Sequence, residues 1–309
     1  MGIEIPALYK GHAGTFSALL RWGSESQKRR YLPLLATKWV GAYAMSEEDA
    51  GSDAFAISTS AEKSGDDFVI NGRKYWTTNY KEAELFLIFA KTQMLDKTAG
   101  ITAFIVERSY PGLTIGKEVN KLGIRASSTG ELILHNVHVS QENVLGRVGE
   151  GSVVAVETLN EGRIGIAAQL LGLAQGAHSA ALAYAQKRQQ FGRQISSFQG
   201  VHFPLAHMAT EIEATRLLVY NAARITEKKN ATAMERLQTS AMAKYFASQV
   251  AEKVASEALE IFGGNGYIKD FPAEKFYRDA KIGKIYEGTS NIQLRTIATT
   301  ILQGKQDKR

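Results

Sequence analysis

The run Leu85-Phe86-Leu87-Ile88-Phe89-Ala90 decides the fold class. Its apolar residues follow one another without a break, over a length that suits a buried strand better than a helix. Similar or alternating runs lie on both sides of it, at Val40 to Met45, Phe68 to Ile70, Thr102 to Val106 and Leu132 to Val139. Turn signals separate them: Ser64-Gly65-Asp66-Asp67, Asn71-Gly72 and Pro111-Gly112. No long helical period interrupts residues 39–147. That predicts an antiparallel barrel or sandwich and argues against a βαβ sheet.

The flanks read differently. Residues 1–38 are helical in pattern, with one helix near Ala13 to Leu20 and a break at Tyr31-Leu32-Pro33. The spacing from Ser24 to Gln27 predicts a capping box for the second helix. From residue 148 onward apolar residues recur at helical spacing, over Val153 to Tyr184, Pro204 to Thr226, Glu235 to Phe262 and about Asn291 to Leu302. Gly263-Gly264-Asn265-Gly266 stops the third of these. The expected fold is a multidomain α+β chain. It has a remnant of an N-terminal α domain (1–38), a middle antiparallel β barrel or sandwich (39–147) and a C-terminal up-down helical bundle (148–309).

Composition narrows the function classes. Cysteine is absent, which removes disulfides, thiolate nucleophiles and Cys-based metal sites together. Net charge is +6, but the basic residues are dispersed. The densest runs, Gln27-Lys28-Arg29-Arg30 and Lys228-Lys229, lack interleaved aromatics, so nucleic-acid binding is not expected. A phosphate-bearing cofactor or a CoA ester explains the sign equally well. No apolar run approaches the ~18 residues of a membrane span, so a soluble protein is expected. Met1-Gly2-Ile3-Glu4 has no transit-peptide character, and the chain reads as beginning inside a domain. The sequon Asn230-Ala231-Thr232 is read as chance. Gly263-Gly264-Asn265-Gly266 lacks the Rossmann spacing and follows a helix, so any dinucleotide is held some other way. His135 with His138 and His202 with His207 have no third ligand nearby, and no metal site is expected.

Five short stretches carry polar groups that chemistry could use. Tyr43 to Asp53 leads from an apolar strand into a loop with acids, a hydroxyl and Gly51. It is a generic acidic turn or a loop offering N–H groups to a planar ligand. Trp76-Thr77-Thr78 is core packing or an aromatic wall with hydroxyls. Asn160-Glu161-Gly162-Arg163 interrupts an apolar helix, where Arg163 either pairs with an acid such as Glu161 or meets a ligand. Arg188-Gln189-Gln190-Phe191-Gly192 ends a helix, and Arg188 either complements the helix dipole or forks onto a pyrophosphate. In Tyr286-Glu287-Gly288-Thr289-Ser290-Asn291 the acid is flanked by Tyr and Gly, as suits a general base. The same stretch could equally cap the final helix through Thr289 or Ser290.

The order of these stretches resembles the acyl-CoA dehydrogenase family, with the closest look to its short/branched-chain members. The resemblance spans about residues 12–303. It is carried by Tyr43 to Asp53, Lys74 to Thr78, Lys121 to Thr129, Leu159 to Ala168, Arg188 to Gly192, Ile261 to Tyr267 and Ile285 to Leu294. The resemblance implies an FAD-dependent enzyme that removes hydrogens from the α and β carbons of a short or branched acyl-CoA. Glu287 would be the catalytic base, with hydride passing to the flavin N5. Tyr43, Met45, Ser46, Gly51 and Ser52 would line the flavin, and Trp76, Thr77 and Thr78 would cover its other side. Arg188 and Gln199 would bind the pyrophosphate or adenosine part. Glu260, Ile261, Phe262, Gly263 and Gly264 would reach it from an adjoining subunit, and Thr289, Ser290 and Asn291 would complete the site. Ser52, Asn160, Glu161, Gly162, Arg163 and Gly288 would meet the substrate.

The resemblance further implies an electron-transfer flavoprotein as electron acceptor, a homotetramer built as a dimer of dimers, and a mitochondrial matrix location. Two departures stand out. The family has a further helical domain ahead of the β domain, of which only the last part is represented. The flavin loop reads Ser46-Glu47-Glu48-Asp49-Ala50-Gly51-Ser52, where many relatives have Thr-Glu-Pro-Gly-Ala-Gly-Ser, so its turn is less pre-set. The first departure motivates an alternative, a truncated non-catalytic paralogue acting as an assembly or interaction subunit.

Overall fold

In the computed structural model, described residues are 5–93 and 99–303, with side chains from residue 11. The opening residues Met1 to Glu4, read above as lacking transit-peptide character, lie outside them. Two compact units emerge from the contacts. One comprises the chain up to Lys121 with Arg125–Gly162, and the other Leu122–Ile124 with Arg163 onward.

The first unit opens with helices α1 (Ile5–Trp22) and α2 (Glu25–Thr37). The expected capping box is present: Gln27 N donates to Ser24 Oγ at 3.2 Å, and Ser24 N donates to Gln27 Oε1 at 2.9 Å. The Gln27 amide also donates to Glu142 O at 2.7 Å and Val144 O at 2.9 Å, so one side chain closes the cap and ties the helix to the end of the β region. Ser24→Ala should therefore lower unfolding stability by about 1 kcal/mol, read from a urea midpoint shift at unchanged slope. The expected break at Pro33 does not occur, and α2 runs through it to Thr37. Buried Tyr31 and Leu35 anchor the helix on both sides of the proline, and the Tyr31 hydroxyl donates to Glu107 at 2.9 Å. Packing thereby outweighs the local cost of roughly 3 kcal/mol for an interior proline.

Among the described residues eight strands form one sheet: β1 (Val40–Ala44), β2 (Ser60–Ser64), β3 (Asp67–Thr78), β4 (Ala83–Gln93), β5 (Ala99–Glu107), β6 (Leu113–Glu118), β7 (Thr129–Val139) and β8 (Val144–Leu145). Their order is β6-β7-β3-β2-β4-β5-β8, with β1 also on β4. Pairing is antiparallel as expected, except that β1 and β2 both meet β4 in parallel. The central run explains the exception. Leu85, Leu87 and Phe89 pack in one cluster with Leu19, Tyr31 and Leu35 from the helices. Phe86, Ile88 and Ala90 pack in another with Phe68, Phe104 and Leu132. A strand buried on both faces reads as unbroken apolar sequence, the kind that accepts parallel neighbours.

Asn71-Gly72 is not the turn that its sequence suggested. It lies inside β3, at a register shift between Ile70 and Gly72 against β7. Gly72 has φ +149°, and a Cβ there would lie 2.5 Å from Thr59 Oγ1, so the close approach of Thr59 needs glycine. The Asn71 side chain accepts from Asn136 N at 2.7 Å across the pair. The hairpin turn falls instead at Ser64 to Asp67.

The second unit is helical. Long helix α3 (Gly151–Lys187) crosses the division between the units, and α4 (Gln199–Glu227), α5 (Ala233–Phe262), α6 (Ala273–Lys281) and α7 (Ser290–Gln303) follow. On α3, Ile166, Leu170, Ala174, Ala177, Ala181 and Ala185 form one stripe, packed in a common core with Met208 and Ile212 of α4 and Ala247 and Val254 of α5. The small residues let helix axes approach closely. Thr232, part of the chance sequon, caps α5 in a second capping box with Glu235. Gly263, at φ +59°, ends that helix as expected. Segment Leu122–Ile124 is held within this unit by Asp279, whose Oδ1 accepts from Ile124 N at 2.6 Å.

Candidate functional site

In the β unit, β1 delivers Tyr43 and Met45 to a tight turn in which Glu47 and Ala50 exchange backbone hydrogen bonds at 3.2 Å. Gly51 and Ser52 follow on the surface. The far end of β3 runs beside this turn, because Tyr75 N donates to Ser46 O at 2.8 Å. A register shift between Lys74 and Thr77 turns Trp76 into the left-handed region, φ +58°, and leaves its indole 56% exposed. Thr77 is buried, and its Oγ1 has no hydrogen-bond partner among the described residues. The fold thus brings the acidic turn and the Trp-Thr-Thr stretch side by side, which neither stretch implied alone.

What fastens them is a pair to which sequence reading assigned no role. Lys74 is fully buried and Glu47 is 6% exposed, with Nζ to Oε1 at 2.7 Å. Glu47 also accepts from Ser58 N and Oγ at 2.5 and 2.7 Å and from Thr59 N and Oγ1 at 3.1 and 2.6 Å. Lys74 donates in addition to Met45 O at 3.2 Å. Burial by itself would raise the Glu47 pKa, but the hydrogen bonds from Lys74, Ser58 and Thr59 prevail and hold it at about 2. Burial pushes Lys74 down to about 8 against the pull of Glu47. The pair fastens the turn after β1 to β3. Its sequence signal was the phase of Lys74, which shares the buried side of β3 with Phe68 and Ile70.

In the helical unit, Glu287 lies in the connection ahead of α7, with φ +55°, and Gly288 follows with φ +88°. Buried Arg163 interacts electrostatically with the Glu287 carboxylate. Burial pushes the guanidinium pKa down, and the Glu287 charge opposes that shift. Glu161, the expected partner of Arg163, pairs instead with Arg21 at 3.4 Å. Asn160 and Gly162 are half-buried on α3. The hydroxyl of Tyr286 is pushed up by burial and then by the neighbouring Glu287 charge. The Thr289 hydroxyl accepts from Ile292 N at 3.4 Å, capping α7, while Ser290 Oγ accepts from the Gln249 amide at 3.3 Å and Asn291 is exposed.

A cavity of about 350 Å³ opens at the far end of α3, lined by Arg188, Gln190, Ile261, Phe262, Gly263 and Gly264 among others. Tyr184 stacks on Phe262 with ring centroids 4.2 Å apart and forms its apolar wall. A Cβ built on Gly263 or Gly264 meets nothing within 4 Å, so their backbone is open to a ligand. A guanidinium, an amide, bare glycine backbone and an aromatic wall suit a diphosphate joined to a flat heterocycle. Two expected members stand apart. Glu260 lines a different cleft, with Lys253 and Lys284, and Gln199 is exposed on the first turn of α4, outside this lining. Helical rotation separates Glu260 from its neighbours. Phe191 and Gly192 form the tip of a two-residue hairpin between Gln189–Gln190 and Arg193–Gln194, and Phe191 is 93% exposed. Among the described residues no three His, Asp or Glu gather as a metal site, and no helix is long and apolar enough to cross a membrane.

Two family models match successive parts of the chain, the second beginning inside the first contact unit. Residues 42–137 match the acyl-CoA dehydrogenase middle domain, and residues 149–302 match the acyl-CoA dehydrogenase C-terminal domain. The chain belongs to the acyl-CoA dehydrogenase family. It is 53% identical to the mitochondrial short/branched chain specific acyl-CoA dehydrogenase of Rattus norvegicus, over 90% of this chain and 64% of the relative. It therefore spans somewhat under two thirds of that relative's length. A chain in a structure of the electron transferring flavoprotein of Acidaminococcus fermentans is 45% identical, with a TM-score of 0.88 over 93% of this chain and 75% of that one. An acyl-CoA dehydrogenase from Bacillus anthracis, solved in complex with FAD, is 34% identical, with a TM-score of 0.87 over 94% of this chain and 52% of that one.

Proposed function

We propose that this chain catalyses FAD-dependent α,β-dehydrogenation of short or branched acyl-CoA thioesters, with Glu287 as the base. The observation that carries the reading is the left-handed Glu287-Gly288 pair facing buried Arg163. A non-glycine residue in that region costs free energy and recurs at active sites. Each unit holds groups that suit a part of FAD: Arg188 lines a cavity with the open Gly263-Gly264 backbone, and exposed Trp76 adjoins Thr77, whose hydroxyl has no hydrogen-bond partner among the described residues. Bound FAD would supply the hydride acceptor for the β-hydrogen.

The residues divide the remaining work. The Glu287 carboxylate takes the α-proton. Its backbone N–H donates to the thioester oxygen as charge develops there, the type of preorganised stabilisation that weak carbon acids require. Gly288 leaves room for the thioester beside the backbone. The Arg163 charge orients the Glu287 carboxylate. Asn160 to Arg163 and Ser52 contact the substrate, and Tyr43, Met45, Ser46, Gly51 and Ser52 meet the flavin with Trp76 to Thr78. Arg188 shares its cavity with Ile261 to Gly264, so these act as one group, offered to the cofactor of an adjoining subunit. Gln199, Glu260 and Thr289 to Asn291 join at its margin. The 93% exposed Phe191 at the hairpin tip supports a subunit contact there, and the proposed assembly is a tetramer built as a dimer of dimers. The electron acceptor would be an electron-transfer flavoprotein. The likeness to mitochondrial relatives favours the mitochondrial matrix, and the partition into 1–38, 39–147 and 148–309 is retained as the working domain scheme.

The test is optical. The purified chain should carry flavin absorbance, and a short branched acyl-CoA should bleach it anaerobically. Arg188→Ala should weaken FAD retention by roughly tenfold or more, since charge-assisted bonds contribute about 1.5–3 kcal/mol. A folded chain that stays colourless with excess FAD would reject this reading in favour of a non-catalytic relative.

A further inference from the structure

The left-handed pair at Glu287 and Gly288 has to be held, because such a backbone persists only where its surroundings over-determine it. The holding groups come from two helices. Gln293, on α7 and fully buried, donates from Nε2 to Glu287 O at 2.9 Å and to Gly288 O at 3.0 Å. Lys244, on α5 and also fully buried, donates from Nζ to Gly288 O at 2.6 Å. The Gln293 Oε1 is buried and makes no hydrogen bond among the described residues. A leucine there would avoid that cost, so the amide is placed for its donors. Gly288 completes the arrangement: a Cβ there would stand 2.6 Å from Gln293 Nε2 and displace it.

We propose that Lys244 and Gln293 are positioning residues for Glu287, binding the carbonyls of Glu287 and Gly288 so that the base is presented from a fixed left-handed backbone. The proposal rests on the reading of Glu287 as the base. Both side chains act here through backbone carbonyls. By tying the two peptides that follow the base, they set its ψ and limit the directions its carboxylate samples. Proton abstraction from carbon is sensitive to such placement, and an error of about 1 Å costs on the order of 100-fold in rate.

Two readouts test this on the full chain, wild type against Lys244→Met and Gln293→Leu. The first is amide hydrogen exchange of residues 286–289 without added substrate. It should quicken at least ~10-fold in each variant, while the interior of α5 around Val250 exchanges as in wild type. The second is exchange of the substrate α-proton into heavy water by the FAD-loaded chain. It should slow ~10- to 100-fold with KM changed less than about twofold. Because the chain has no cysteine, Lys244→Cys can be aminoethylated at that position alone in denaturant and refolded. Restored slow exchange at 286–289 would show that the buried ammonium is the group required. In the first readout, Gly288→Ala should quicken exchange at 286–289 as Gln293→Leu does, because its Cβ displaces the Gln293 amide.

Unchanged exchange at 286–289 in both variants would overturn the proposal, as would equal loosening of α5. Should Lys244→Met fail to fold, Gln293→Leu decides alone, since it removes no buried charge. Wild-type proton abstraction by Glu287→Gln would remove the base reading, while the exchange data would still report whether the two side chains hold the loop.

Discussion

Glu287→Gln should keep its flavin colour and lose anaerobic bleaching by a short branched acyl-CoA, with the rate of reduction falling by at least about 10³-fold. The substitution is nearly isosteric, so Gly288, Thr289 and the start of α7 keep their packing. Glutamine tolerates the left-handed φ of +55° no worse than glutamate does. Substrate affinity should therefore change little, which places the loss in the chemical step. Losing the carboxylate also leaves buried Arg163 without the charge that opposes its desolvation. A modest fall in thermal stability should accompany the loss of activity. Bleaching at the wild-type rate would show that another group takes the proton.

The second large effect concerns stability. Lys74→Met should destabilise the protein by about 3–5 kcal/mol, because it leaves the Glu47 carboxylate buried without its cation. The double variant Lys74→Met with Glu47→Gln should recover much of that loss, since no charge is then buried. A double variant no more stable than the single one would show that the pair is not the source of the loss. The pair also predicts an acid limb. Glu47 is held at about 2 against an ordinary value of 4.5. A carboxylate with a depressed folded pKa contributes stability in full above its unfolded value and loses it as the pH falls through the folded one. The melting temperature should thus decline between about pH 4.5 and 2, by an amount equivalent to roughly 3 kcal/mol for this group. In Glu47→Gln the decline over that window should be shallower. FAD retention should fall in the single variants as well, since Lys74 and Glu47 tie the Met45-Ser46 turn to the strand that carries Trp76.

Much of the fold is local information. The unbroken run Leu85 to Ala90, set among other short apolar runs and turn signals, points to a strand, and helical spacing across residues 153–184 points to a helix. Ser24 with Gln27 and Gly263 after Phe262 mark helix ends through bonds and dihedrals that span only a few residues. Where sequence reading failed, a distant partner reversed a local preference. Pro33 does not break α2 because Tyr31 and Leu35 are anchored in a core drawn from the sheet. Asn71-Gly72 stays within β3 because β7 pairs on both sides of it and Thr59 packs against the glycine.

The candidate site divides along the same line. Residue types at Glu287, Arg188 and Trp76, and the order in which they occur, were open to reading from the chain alone, and they sufficed to mark the family resemblance. How those residues are held was not. Lys74 meets Glu47 across 27 positions, and Lys244 meets Gly288 across 44. Arg163 bypasses the acid two residues away for one in another segment. A buried charge takes its partner from whatever the packed elements bring within hydrogen-bond reach. That proximity is created by tertiary packing and leaves no periodic trace in the sequence.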